Sequence, residues 1–192
     1  EEAREEGRKQ GREEGYKIVS FYIDAESLIK RAYVLRQEGW REKENIGYYQ
    51  RMFEAKKISS MRKYLTENSR VFINNIISTI AENQIKLFDR KGNPIIINDK
   101  GEFEGDNAST NVTPALIEIN DECNIIGLID GQHRTYAYHE GDDIYEPHIA
   151  KLRKIQNLLV TGILFPQKES KESRLKFEAN LFLEINLNQT KV

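Results

Sequence analysis

The chain has 192 residues, enough for one domain with a core of its own. Hydrophobic residues make up 39% and charged residues 31%, a balance that excludes a disordered chain. No apolar run reaches the ~18 residues that a membrane helix needs. The single cysteine, Cys123, excludes an internal disulfide framework and any multi-cysteine zinc site, and we expect it to be a small buried hydrophobe. A charged N-terminus without a signal-peptide pattern favours a cytoplasmic protein.

The charges are unevenly distributed along the chain, although the formal net charge is only −2. Residues 30–70 carry eleven Lys or Arg and five Glu, whereas residues 82–146 carry five Lys or Arg and fourteen Asp or Glu. A basic lobe of this kind attracts polyanions, and the alternative is a solvated charged helix. Composition does not decide between the two.

Residues 1–15 lack apolar periodicity and predict a charged helical extension or tail. Residues 16–192 predict a single domain, which we expect to continue beyond the last residue of this sequence. A strand over 16–23 leads to Asp24, the expected N-cap of a helix over 25–36. Further strands are predicted at 71–80, 84–88, 95–97, 115–119, 124–129 and 158–165, and further helices at 48–64, 132–139, 145–156 and 175–185. This alternation predicts an α/β fold with a mixed sheet flanked by helices.

The segment 125–137 combines a short apolar strand, a glycine turn and the start of a helix. Gly131 lets an anion approach the backbone closely, and Arg134 offers a planar, permanently charged fork to phosphate oxygens. His133 can donate to a phosphate or transfer a proton, and Asp130 can hold a ribose hydroxyl, a magnesium ion or a water. In the alternative interpretation Asp130 caps the helix and Arg134 pairs with a nearby acid. We expect Arg134 to face the solvent side of the turn.

The residues 130–134 spell Asp-Gly-Gln-His-Arg, the signature of the DGQHR-domain proteins. Residues 49–76 and 181–192 resemble the segments that flank this signature in the family, so the resemblance covers about 45–192. The family is similar to the ParB/sulfiredoxin-like fold, a small α/β domain that binds nucleotide phosphates at a glycine turn. Its known members accompany DNA phosphorothioation and 7-deazaguanine DNA modification. Sulfiredoxin has a reactive cysteine in this turn where the chain has Gln132, which argues against sulfinic acid reduction.

The resemblance implies a site for ATP or another nucleotide with Mg²⁺, and a nucleoside triphosphatase in a bacterial DNA modification or defence system. The expected catalytic residues are Asp130, His133 and Arg134, with Asp130 as the metal ligand. The expected nucleotide-binding residues are Gly131, Gln132, His133, Arg134, Asn74, Asn75, Asn186 and Gln189. Asn74 and Asn75 are expected either to line the pocket or to hydrogen-bond neighbouring backbone. Asn186 and Gln189 are expected either to cap the end of a helix or to close over the nucleotide.

A second hypothesis is a DNA-binding transcriptional regulator without catalytic activity. It would contact the phosphate backbone of double-stranded DNA through the basic lobe, and such contacts weaken steeply with salt. The residues expected to make them are Arg51, Lys56, Lys57, Arg62 and Lys63, with a solvated helix face as the alternative. A third hypothesis is an assembly scaffold that forms a homo-oligomer and contacts other DNA-modification proteins.

Overall fold

The computed structural model describes residues 17–34, 54–96, 115–166 and 170–187. The strands are β1 (Lys17–Asp24), β2 (Ala32–Val34), β3 (Ile76–Ala81), β4 (Ile85–Phe88), β5 (Leu116–Ile119), β6 (Ile126–Asp130) and β7 (Asn157–Phe165). The helices are α1 (Ala25–Arg31), α2 (Ala55–Asn68), α3 (Gln132–Tyr136), α4 (Glu146–Ile155) and α5 (Lys171–Leu187). The predicted N-terminal extension lies outside the described residues.

Five strands form one sheet in the order β1-β7-β3-β6-β2. Its strand pairs alternate between antiparallel and parallel, starting with the antiparallel pair of β1 and β7. The predicted mixed α/β sheet flanked by helices is therefore confirmed. Strands β4 and β5 form a separate antiparallel pair. Within the described ranges, no helix has both the length and the apolar character needed to cross a membrane.

The core lies on one face of the five-stranded sheet. Alternate residues of β7, including Leu158, Val160 and Leu164, point into it and meet the buried Leu28 of α1 and Leu65 of α2. Burial of every second residue is typical of a strand with one face packed against the core and the other face less completely covered. On the second face α5 packs beside β6 and β7, where the rings of Phe165 and Phe177 meet edge to face at 5.4 Å.

Several predicted boundaries differ from the structure for tertiary reasons. Asp24 caps α1 as expected, since its carboxylate accepts from the backbone N–H of Ser27 at 2.8 Å. The helix predicted over 25–36 is wrong beyond Arg31, because Ala32–Val34 instead pairs with β6 as a parallel edge strand. Strand β3 begins at Ile76 rather than at residue 71. Pairing with β6 and β7 thus decides boundaries that local propensity does not.

Candidate functional site

The turn between β6 and α3 requires a glycine on two grounds. Gly131 has φ +91°, a left-handed backbone conformation that a residue with a Cβ adopts only under strain. A Cβ at this position would also lie 2.9 Å from Cγ1 of Ile76 and 3.0 Å from Nη2 of Arg134. Because both neighbours come so close, the glycine brings the start of β3 and the Arg134 guanidinium against the turn.

Arg134 connects this turn to β3 and to the end of β6. Its Nη2 donates to the backbone oxygen of Asn75 at 2.8 Å and to Oδ2 of Asp130 at 3.1 Å. The Arg134 side chain is 19% exposed and that of Asp130 28%, so the expectation that Arg134 faces solvent is correct only in part. The ion pair foreseen in the alternative interpretation is present. Even so, Nε of Arg134 is buried without a hydrogen-bond partner.

Asn75, whose backbone oxygen accepts from Arg134, has a second unpartnered atom. Its Nδ2 donates to Oγ1 of Thr161 at 2.8 Å, and its Oδ1 is buried without a partner. The side chain therefore links the start of β3 to β7, and its Oδ1 is an acceptor without a donor. Among the described residues, four buried side-chain atoms lack a partner, and two of them belong to Asn75 and Arg134. A buried polar group without a partner is uncommon, and a ligand, a water, an ion or local strain accounts for such a group in folded proteins.

Two further side chains of the turn are enclosed by the fold. Gln132 and His133 are buried. Nε2 of His133 accepts a hydrogen bond from the backbone N–H of Glu54 at 3.3 Å, just before α2. An Nε2 that accepts this bond carries no proton to donate to a phosphate. His133 therefore joins α3 to α2 and does not fit the expected role of proton shuttle through Nε2.

The remaining expected nucleotide contacts are only partly described. Asn74 is exposed one residue before Asn75. Asn186 lies within α5, and its side chain is outside the described part, as is all of Gln189. Cys123 is exposed, so the expectation of a buried cysteine is wrong. It lies in the turn before β6, where none of the described elements covers it.

The expectation that Arg62 contacts DNA is wrong. Its side chain is 0% exposed, because α2 turns this residue toward the loop that follows α3. The guanidinium donates to both carboxylate oxygens of Asp143, at 2.7 and 3.0 Å, and to Glu146 at 2.8 Å. Its Nη1 donates to the backbone oxygens of Ala137 and His139, at 3.1 and 2.7 Å. These five bonds match the five N–H donors of an arginine.

This buried arginine sets the ionisation of its partners. The hydrogen bond from Arg62 lowers the pKa of Asp143 below its ordinary value. Burial raises the pKa of Glu146, but hydrogen bonds from Arg153 and Arg62 outweigh it and hold that pKa low. Both carboxylates thus stay ionised, and the network clamps α2, α4 and the loop after α3 together.

The other basic residues of α2 point outward. Lys56 and Lys63 are exposed and, seven residues apart, share one side of the helix. Lys57 lies 3.8 Å from Glu54, and Lys63 lies 3.7 Å from Glu67. Arg51 is outside the described residues. Two of the three lysines on this helix thus have an acidic neighbour.

A further polar cluster was not foreseen from the sequence. Glu178 of α5 is fully buried, and its Oε1 accepts from Tyr33, Thr79 and Arg174, while its Oε2 has no partner. Burial, together with the nearby Glu178, raises the pKa of Tyr33 to about 12. The one available signal was Gly127 within a strand, since glycine there marks a close approach of another group.

Gly127 makes room for that cluster. A Cβ at this position would meet Oγ1 of Thr79 at 2.5 Å and the hydroxyl of Tyr33 at 2.8 Å. The cluster ties α5 to β2 and β3 and lies toward the opposite end of β6 from Asp130. It is thus a structural support for α5, separate from the glycine turn.

A groove of about 300 Å³ lies elsewhere, beside the β4–β5 pair, and contains none of the expected site residues. Its walls are mainly apolar, with the Lys17–Glu82 ion pair at the edge.

No group of three or more His, Cys, Asp or Glu that could hold a metal occurs in the described part of the chain. Asp130 is the acidic group at the turn, and Mg²⁺ is commonly held by one or two carboxylates together with substrate phosphates. The residues therefore fit a magnesium ion that arrives with a nucleotide. Comparisons with protein-family models, curated proteins and solved structures found no match to this chain. The DGQHR resemblance thus remains a prediction.

Proposed function

We propose that the chain binds a nucleotide through its phosphates at the turn formed by Asp130, Gly131 and Arg134, with Asn75 beside it. The observation that carries the proposal is the pair of buried, unpartnered atoms at this turn, Nε of Arg134 and Oδ1 of Asn75. One is a donor and the other an acceptor. A phosphate oxygen satisfies the first, and a ribose hydroxyl or a protonated phosphate oxygen satisfies the second.

In this proposal each group has a defined task. Arg134 donates from Nε to a phosphate oxygen, while its Nη2 stays on the Asn75 backbone and keeps the guanidinium plane fixed. Asp130 orients that guanidinium and would hold Mg²⁺ together with the phosphates. When bound, Mg²⁺ would supply charge neutralisation for phosphoryl transfer. His133 takes no part beyond holding α3 against α2.

The DGQHR resemblance extends the proposal to a nucleotide-dependent step, including ATP hydrolysis, in a bacterial DNA modification or defence system. Arg134 would then also stabilise the charge that develops on the transferred phosphoryl group. Release of inorganic phosphate measures that step separately from binding. Asp130→Asn keeps the shape of the side chain and is expected to lower phosphate release more than it lowers nucleotide affinity.

The test of binding is a thermal shift followed by calorimetry, with ATP, CTP and GTP in the presence of Mg²⁺. A ligand at 100 times its Kd stabilises the protein by ~2.7 kcal/mol, which is readily detected. Arg134→Gln should weaken the affinity at least tenfold, because charge-assisted bonds to phosphate contribute about 1.5–3 kcal/mol each. Lys63→Gln, which removes an exposed charge far from the turn, is the matched control. Absence of a shift with all three nucleotides, or equal affinities in the wild type and Arg134→Gln, would refute the proposal.

A second candidate function is binding of the DNA backbone by the outer side of α2. The supporting observation is that Lys56 and Lys63 are exposed on the same side of the helix. Replacing both by Gln should weaken DNA binding and reduce its salt dependence by about two phosphate contacts. The Arg134→Gln variant serves as the control, since this change lies outside α2. DNA binding that does not change with salt would exclude this function.

A further inference from the structure

Strand β1 is a long, regular edge of the five-stranded sheet. It pairs with β7 over all eight residues, Lys17 to Asp24, without a bulge or a proline. No described strand pairs with its other side. The opposite edge, β2, has only three residues. Natural proteins usually protect a long edge strand with charges, bulges or prolines, because its free N–H and C=O groups recruit another strand.

The side chains of this edge strand are also unusual. Ile18 and Tyr22 are each 71% exposed and lie on the face of the sheet opposite the core. Ser20 lies between them on the same face, with its hydroxyl 3.1 Å from that of Thr161. The stretch 18–23 contains no charged residue, and opposite charges stand at its ends, on Lys17 and Asp24.

This pattern is complementary to itself. In an antiparallel pair of two β1 strands, residues directly opposite each other point to the same face. If the two-fold axis passes through Ser20, Ile18 of one copy lies opposite Tyr22 of the other, and Tyr22 lies opposite Ile18. Pairs of an aromatic and a β-branched residue are among the favourable cross-strand neighbours.

We infer that two copies of this chain associate through β1, in an antiparallel pairing centred on Ser20 that makes one continuous ten-stranded sheet. A second copy suits this edge better than an unrelated peptide, because the exposed apolar residues are spaced symmetrically about one position. The interface is isologous, as in most homodimers. The glycine turn lies three strands away from β1, so the inference does not depend on the proposed function.

The first test is sedimentation equilibrium of the 192-residue chain and two double variants. Ile18→Lys with Tyr22→Lys places like charges opposite each other at both apolar pairs and should yield a monomer. Ile18→Glu with Tyr22→Lys places opposite charges there and should restore the dimer. Both variants change only exposed side chains, so their circular dichroism spectra and melting temperatures should match each other. A monomeric wild type at all concentrations, or the same oligomeric state in both variants, would overturn the inference.

The second test locates the two-fold axis. Residues directly opposite in an antiparallel pair have Cα atoms about 4.5–5.5 Å apart, within the range that a disulfide bridges. In a Cys123→Ser background, Ser20→Cys should therefore form an interchain disulfide upon mild oxidation. Tyr22→Cys should not, because the two copies of residue 22 lie four positions apart along the pair. Cross-linking through residue 22 but not through residue 20 would contradict the register.

Discussion

Arg62 and Arg134 are both held by acidic side chains and backbone oxygens, yet their environments differ in one decisive respect. Arg62 is fully buried and all five of its N–H groups have acceptors. Arg134 is partly exposed, and its Nε is buried without an acceptor. A saturated arginine has no donor left for a ligand, whereas an unsaturated one does. An unused N–H donor, rather than charge, therefore distinguishes a candidate binding arginine from a structural one.

The largest effect is expected from removing the saturated arginine. Arg62→Met removes all five of these hydrogen bonds, while Glu146 and the backbone oxygen of His139 keep their bonds from Arg153. It should destabilise the fold by about 3 kcal/mol. This is the lower end of the range for a buried ion pair, because Asp143 is partly exposed. The melting temperature should fall by roughly 6–12 °C. Lys63→Met, the exposed neighbour, should change stability by less than about 0.5 kcal/mol. Equal melting temperatures for the two variants would show that the network does not support the fold.

The second effect concerns the glycine of the candidate site. Gly131→Ala combines an unfavourable φ with a contact of 2.9 Å to Ile76 and should destabilise by about 2 kcal/mol, measured by chemical denaturation. Gly92 is the matched control. It has φ +84° with nothing near its Cβ position, so Gly92→Ala should lose only about 1 kcal/mol. If Gly92→Ala proves the more damaging, the close approach at the turn is not as described.

The third effect is smaller, and its size depends on the ligand. Arg134→Gln loses the bonds to Asn75 and Asp130 but also removes an unsatisfied buried donor, so it should destabilise the unliganded chain by only about 1 kcal/mol. With saturating nucleotide the difference from wild type should widen, because only the wild type gains the phosphate bond. Thermal denaturation of both proteins, with and without ATP and Mg²⁺, measures the stability difference in the unliganded and the liganded state. A loss as large as that of Arg62→Met would place Arg134 with the structural arginines.

The smallest effect is a pH dependence of the stability that Arg62 contributes. The lowered pKa values of Asp143 and Glu146 mean that their contribution to stability is fully present above the ordinary carboxylate pKa of about 4. This contribution is lost as the pH falls through the lowered values. The difference in melting temperature between wild type and Arg62→Met should therefore be constant near neutrality and shrink below about pH 4. A difference that grows in acid would contradict this assignment.

The features that depend on a few neighbouring residues could be predicted from the sequence alone. The Asp24 cap, the existence of strand β7 and the glycine turn after β6 all follow from local backbone geometry and side-chain composition. The class of fold follows from the alternation of such elements. The same local reasoning placed Asp130 and Arg134 in one turn, four residues apart.

The hydrogen-bond partners of the polar side chains, in contrast, depend on tertiary contacts. Arg62 and Asp143 are 81 positions apart in the chain, and Thr79 and Glu178 are 99 positions apart. No local pattern encodes such contacts, because they arise from the order of strands in the sheet and the packing of helices upon it. For the same reason the sequence placed Arg62 on a DNA surface and continued α1 through Ala32. Asn75 was named from the sequence as a residue that could either line the site or stitch backbone. In the structure the amide nitrogen of Asn75 bonds Thr161 and its backbone oxygen accepts from Arg134, so the residue links neighbouring elements. Its side-chain oxygen has no partner, which is compatible with a role in the site.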